Sequence, residues 1–225
     1  MLFLNILFIV CAYFVGAFPH LRIIARLNGI NQEGDLHLAF MAQGKRLLAV
    51  IGVIMDIAKG VIVIVAGRLL NLDIAIIAIG GLSAVAGQMW PVFTRFEGEK
   101  GNSISVGYIV TLTPMSFVVI AMPMLAGVIG KVISPHNAGK SLKERLKFSG
   151  SHSLSLPVGM AVAFLIAPII AALLSEPPVV SWSYTVLFFL IMIRRITAGL
   201  KDDLGGNPVT MNVIKNRILY DRSRI

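Results

Sequence analysis

Hydrophobic residues in this chain come in long runs, without the regular polar face of a soluble helix. The apolar segments fall near 2–18, 47–70, 72–93, 105–131, 154–174 and 179–193. Polar interludes occupy 19–46, 94–104 and 132–153, and a polar tail fills 194–225. Several runs approach the roughly 20 residues that an α-helix needs to cross a hydrocarbon core. The predicted fold is all-α, a polytopic membrane helical bundle forming one domain over 1–225. No internal repeat is visible, which disfavours a small transporter or flippase built from paired halves.

Basic residues predict the threading. Every Lys and Arg except Lys59 and Arg68 lies in 19–46, 94–104, 131–153 or 194–225. Such charge gathers on the cytoplasmic side of a membrane. The first run, MLFLNILFIVCAYFVGAF, has no positive charge ahead of it, unlike a secretory signal. It reads as a retained helix with its N-terminus outside, so 19–46 and 94–104 face in. A single crossing at 105–131 would then strand two basic stretches outside. The conflict vanishes if 105–131 returns to the side it left. Pro114 and Pro123 interrupt it, as helix breakers do. At about 1.5 Å per residue it reaches roughly 40 Å, too short for two full-width passes. The expectation is about seven helical passes or half-passes, including a broken or re-entrant segment near 105–131, with the C-terminus inside. The basic stretch SLKERLKFSG at 141–150 fits an interfacial segment and a solvated loop equally.

Composition sharpens this. The chain has 225 residues, 56% hydrophobic and 14% charged, with mean hydropathy +0.84. Soluble domains carry about 25% charged residues. Net charge is +9. The cations sit in loops that would face anionic lipid, so membrane lipids, and no nucleic acid, are the expected partners. Cys11 stands alone, which excludes an internal disulfide and a Cys/His zinc pattern. His20, His37, His136 and His152 are scattered without metal-ligand spacing. Trp90, Trp182, Tyr108 and Tyr184 read as interface residues.

The candidate chemistry lies at GQMWPVFTRFEGEKG, 87–101, where an apolar segment runs into a glycine-rich turn. Gly98 and Gly101 allow backbone N–H groups to converge on an anion. Lys100 adds a point charge, and Asn102 and Ser103 can donate to phosphate oxygens near the next helix N-terminus. A polar turn with a solvated lysine fits the same residues. Lys45 and Arg46 are candidate helpers from the first basic loop. Asp56 and Lys59, three apart on one helical face, lie inside the second apolar run. Asp56 is ten residues past Arg46, about 15 Å deep in a straight helix. The pair either shapes an internal polar site or fixes helix packing. Gly60 next to it permits close backbone approach. Arg194 and Arg195 fit snorkelling anchors or anion contacts. Asp202, Asp203 and Asp221 assemble no visible metal site.

With these residues in view, the chain resembles the bacterial acyl-phosphate:glycerol-3-phosphate acyltransferase family over nearly its whole length. The likeness rests on GAFPHLRIIARLNGIN, QGKRLLAVIGVIMDIAKG and GQMWPVFTRFEGEKG, and more weakly on IRRITAGL. It implies a multi-pass protein of the cell inner (cytoplasmic) membrane with its site toward the cytoplasm. It implies acyl transfer from acyl phosphate to glycerol 3-phosphate in phospholipid synthesis, giving lysophosphatidic acid, with no cofactor and no metal. Gly98, Lys100 and Gly101 would hold phosphate. The sequence departs from the family at several motifs. QEGDLHLAFMA, 32–42, lacks the GSGN-type loop and the ATN-type triplet. Gln88 replaces a His, and GEKG replaces GGKG, which puts Glu99 beside Lys100. Phe189, Met192 and Lys201 align with the family's His, Asn and Glu. Ser149, Ser151 or Ser153 would match its serine-rich motif. No catalytic base is assigned. The alternative function is a catalytically degenerate homologue that binds a phosphorylated lipid precursor or regulates a partner enzyme.

Overall fold

The structure is a computed structural model that describes residues 1–30, 36–133, 155–199 and 211–221. The 141–150 stretch, the 32–35 part of the first motif, His136, His152, Ser149, Ser151, Ser153, Lys201, Asp202 and Asp203 lie outside those residues. The described chain is helical, in the order α1 (Leu2–Ala17), α2 (His20–Leu27), α3 (Leu36–Ala42), α4 (Arg46–Leu69), α5 (Ile74–Met89), α6 (Asn102–Leu112), α7 (Pro114–Ile120), α8 (Met122–Ile133), α9 (Ser155–Leu173), α10 (Pro178–Thr197) and α11 (Met211–Tyr220). Among the described residues, six helical stretches are long and apolar enough to cross a membrane, and α6 is a shorter apolar one. Large apolar side chains such as Leu47, Val50, Ile54, Ile62 and Leu69 cover the outside of α4, as lipid contact requires.

Prolines set the breaks. A residue before proline is pushed out of the α region. Thr113 has φ −136° and ψ 79°, which ends α6, and Pro114 opens α7. Pro123 falls at the second residue of α8. Phe18, before Pro19, leaves helical geometry at ψ 119° and divides α1 from α2.

Close backbone contacts fix the directions. Gly16 meets Ala84 and Gly87 meets Tyr13, and Ser83 Oγ donates to Ile9 O at 2.9 Å, so α1 and α5 run parallel. Gly60 packs on the backbone of Ile104 and Tyr108, and Gly107 on that of Ile57. Arg68 Nη2 donates to Leu112 O at 2.8 Å, so α4 and α6 are also parallel. Gly127 faces Ser155 while Gly159 faces Pro123, which makes α8 and α9 antiparallel.

These directions bring the segment from 102 to 133 back to the end of the bundle where it began, as the charge pattern predicts. Polar bonds gather the described basic regions at that end. Lys45 donates to Asn28 O, Arg22 to Glu97 O, Arg194 to Gly98 O and Arg195 to Pro157 O. The opposite end holds the α4–α5 turn and a Ser116–Glu176 hydrogen bond of 2.8 Å. The short pass is α6, whose 11 residues rise about 16 Å. Gly107 lies beside Ile57, so five residues earlier α6 starts beside residues 52–56 of α4. That is roughly 10 Å along α4 from Arg46. The glycine-rich loop is therefore recessed into the bundle.

Two aromatic assignments change. Tyr108 and Tyr184 are fully buried core residues, not interface anchors. Their hydroxyls bond Ser183 Oγ and Thr113 Oγ1, at 2.7 and 2.5 Å, because a buried phenol needs a partner. The four residues tie α6 to α10.

The shared end is testable by cysteine labelling of intact membrane vesicles in a Cys11→Ser background. Asn28→Cys, Arg95→Cys and Tyr220→Cys should react with an impermeant maleimide from one side. Leu70→Cys and Leu174→Cys should react from the other.

Candidate functional site

The break at Pro19 frees carbonyls at the end of α1, and buried carbonyls need donors. Lys59 supplies them. Its Nζ donates to Gly16 O at 3.1 Å and Phe18 O at 2.8 Å. The carboxylate that balances it is Asp56, 1% exposed, with Oδ1 at 3.7 Å. Two histidines complete the cluster: His20 Nε2 lies 3.5 Å from Oδ1 and His37 Nε2 lies 3.3 Å from Oδ2. The pair thus fastens α1, α2 and α3 to α4. Helix packing is the role these contacts show. Sequence reading missed the histidines, since 17 and 19 residues part neighbours among His20, His37 and Asp56 without a local pattern.

The glycine-rich loop is built from α5 and a 3-10 turn at Val92–Thr94. Arg95 and Phe96 take left-handed φ values of 54° and 64°, reversing the chain. Gly98 presses on the carbonyls of Gln88 and Met89, where any Cβ would collide. Gly101 caps α6 at φ 76°, a conformation glycine adopts without a steric cost. Thr94 Oγ1 and Arg22 Nη2 each donate to Glu97 O at 2.7 Å.

Arg194 at the end of α10 holds the next two carbonyls, Gly98 O at 2.6 Å from Nη2 and Glu99 O at 3.4 Å from Nε. Its guanidinium lies 5.9 Å from the Trp90 ring centroid. In a trans peptide the C=O and the following N–H point opposite ways. Holding both carbonyls on one guanidinium turns the N–H groups of Glu99 and Lys100 to the far side of the loop. The N-terminus of α6 follows directly after Gly101's left-handed turn. Asn102 and Ser103 are half-buried in the first turn of α6. Asn102 Oδ1 is buried without a partner among the described residues.

Lys100 does not point into open water. Its Nζ lies 3.1 Å from Asp221 Oδ2 and donates to Asp221 O at 3.0 Å. Lys45 and Arg46 are not brought to this loop. Lys45 caps α2 through Asn28 O at 2.7 Å, and Arg46 is exposed at the start of α4, because α6 begins well below that turn. From α10, Arg194 bonds the loop, while Arg195 bonds Pro157 O and Ile218 O. Phe189 is 57% exposed on the bundle exterior and Met192 packs against the core, so neither position supplies a polar group. Gln88 is buried behind Gly98. No cluster of His, Cys, Asp and Glu suited to a metal ion occurs among the described residues.

A family model described as glycerol-3-phosphate acyltransferase matches residues 6–202. The chain belongs to this family. A relative from Dehalococcoides mccartyi strain CBDB1, glycerol-3-phosphate acyltransferase 4, is 25% identical over 96% of this chain and 88% of its own length. The glycerol-3-phosphate acyltransferase of Neisseria meningitidis strain FAM18 is 28% identical over 58% of this chain and 70% of its own. Crystal structures of PlsY (YgiH), an integral membrane glycerol 3-phosphate acyltransferase, share the fold. Its lysophosphatidic acid form superposes with TM-score 0.67 at 21% identity, covering 90% of this chain and 92% of that one. Its glycerol 3-phosphate form superposes with TM-score 0.67 at 20% identity, covering 94% and 97%. Membership in the family and the shared membrane fold agree with the resemblance read from the motifs.

Removing one partner of a buried ion pair costs about 3–5 kcal/mol, because it strands the other charge. Asp56→Asn should therefore lower the unfolding free energy in mixed micelles by about that amount. Asp56→Asn combined with Lys59→Met should recover part of the loss, and a double-mutant cycle followed by tryptophan fluorescence checks it.

Proposed function

We propose that the protein transfers an acyl group from acyl phosphate to glycerol 3-phosphate, with the glycine-rich loop binding phosphate. The single observation that carries this is the Arg194 clamp on the Gly98 and Glu99 carbonyls. It commits the opposite face of the loop to N–H groups, beside the α6 N-terminus and Lys100. Gly98, Lys100, Gly101, Asn102 and Ser103 form the proposed anion site, and Asp56 and Lys59 support it from the bundle. The basic end faces the cytoplasm of the inner membrane, in keeping with the positive-inside rule.

In the reaction the acceptor hydroxyl forms an ester bond to the acyl carbon, the bond from that carbon to phosphate oxygen breaks, and the hydroxyl proton ends on the released phosphate. Charge develops on the carbonyl oxygen and on the leaving phosphate. Backbone N–H groups and a lysine fixed in advance stabilise such charge most effectively. Both substrates carry phosphate, so anchoring them also supplies orientation.

One observation favours a second reading, a homologue that binds a phosphorylated lipid precursor without turnover. α10 brings two arginines to this region, and Phe189 and Met192 stand where a base-bearing motif aligns. General base assistance is typically worth 10²–10⁴-fold.

Turnover of acyl phosphate and glycerol 3-phosphate to lysophosphatidic acid by the purified protein separates the readings. The wild type should form product, and Lys100→Ala should lose about 10²–10³-fold in kcat, the usual cost of one preorganised charge-stabilising donor. Saturable glycerol 3-phosphate binding with no product identifies the binding protein instead. Arg194→Lys keeps the charge but not the two-pronged geometry. It should raise KM for glycerol 3-phosphate about tenfold while thermal stability stays near wild type.

A further inference from the structure

The last turn of α11 ends against the proposed anion site. Lys100 Nζ donates to the Asp221 backbone carbonyl at 3.0 Å and forms an ion pair with the Asp221 carboxylate, 3.1 Å from Oδ2. Arg195, 1% exposed, reaches the same turn, its Nη1 donating to Ile218 O at 3.0 Å as well as to Pro157 O at 3.2 Å. The two cations thus bind carbonyls three residues apart, within one helical turn of about 5.4 Å. They face the negative pole of the α11 dipole together with a full carboxylate charge. Arg217 ties the other side of α11 to the end of α10 through Ile196 O at 2.9 Å and Gly199 O at 3.1 Å.

This docking is incomplete. Arg195 Nε and Nη2 are buried without a partner among the described residues, and so is Asp221 Oδ1. Nε and Nη2 form one edge of the guanidinium fork, which accepts a phosphate or carboxylate through two parallel hydrogen bonds. Unpaired buried donors disfavour the state that contains them.

We propose that α11 is a displaceable strap, and that Asp221 occupies the place of the substrate phosphate on Lys100. Asp221 and a phosphate monoester hold Lys100 in alternation. The phosphate that displaces the carboxylate gains the unpaired edge of Arg195. This proposal rests on the reading of the loop as a phosphate site. The strap is then an autoinhibitory contact: the fraction of molecules with α11 docked sets the apparent affinity for glycerol 3-phosphate.

Asp221→Asn removes the charge and keeps the shape. Calorimetry on the full chain in detergent, with glycerol 3-phosphate at fixed ionic strength, should show binding about tenfold tighter than wild type if the docked state holds about nine-tenths of molecules. In the wild type, saturating glycerol 3-phosphate should speed amide hydrogen exchange in residues 211–221. Unchanged or weaker binding by Asp221→Asn overturns the strap, and so does unaltered exchange in 211–221. If Asp221→Asn does not fold, the wild-type exchange measurement decides alone. Lys100→Ala separates the two levels of the argument. Wild-type affinity in Lys100→Ala removes the phosphate-site reading itself. Lost binding in Lys100→Ala beside wild-type binding in Asp221→Asn removes only the strap.

Discussion

The bundle depends on a lysine that repairs a broken helix. Pro19 interrupts the first crossing and exposes carbonyls inside the protein, where no water is at hand to satisfy them. Lys59 donates to two of them, and Asp56 keeps that cation from being buried alone. The carboxylate then has capacity left for His20 and His37. One charge pair therefore fixes the angle between α1 and α2 and the seat of α3, all on the frame of α4. Buried ion pairs seldom add stability over an apolar isostere, but their geometry specifies position. Here position matters, because Arg22 on α2 is one of the two arginines that hold the glycine-rich loop.

The second constraint is the length of α6. A helix of full width would place its N-terminus at the bundle surface. Eleven residues cannot, so the loop before α6 follows the helix start inward. Glycines at the α4–α6 contact let the two backbones touch, which fixes the depth of α6 against α4. A recessed N-terminus keeps its dipole in a medium less polarisable than water, where its pull on an anion is stronger. The loop reaches that depth in an ordered form because its carbonyls are taken by Thr94, Arg22 and Arg194.

Much of this was legible in the chain. The apolar runs located the crossing helices to within a few residues, since a bilayer imposes a length that composition reveals. The return of 105–131 followed from charge counting plus two prolines. Gly98 and Gly101 were readable as turn residues, and their two physical reasons, a close approach and a positive φ, are those the structure shows. What stayed hidden was long-range. Nothing local in the sequence tells that Asp221, 121 residues away, meets Lys100. Nor does it tell that Arg194 grips carbonyls, for a basic pair at a helix end serves equally as a snorkelling anchor. Tyr108 and Tyr184 misled for the same reason: an amphipathic ring suits an interface or a buried bond to a distant hydroxyl.

Glu99 beside Lys100 looks hostile to an anion, and the charge balance explains how it is accommodated. Its carboxylate lies within electrostatic reach of Lys59 and Arg194. Arg194 holds the carbonyl side of the loop, opposite the turned N–H groups, and offsets part of that charge from there. The charged groups around the loop that are not exposed to solvent are the cations Lys59, Lys100, Arg194 and Arg195 and the carboxylates Asp56, Glu99 and Asp221. Counting Lys and Arg against Asp and Glu, one positive charge is left over. A phosphate dianion added to that set would leave the region negative. A dianion that takes the place of Asp221 leaves it neutral. Because desolvated charge is costly unless paired, the site as built favours exchange of one anion for another over simple addition.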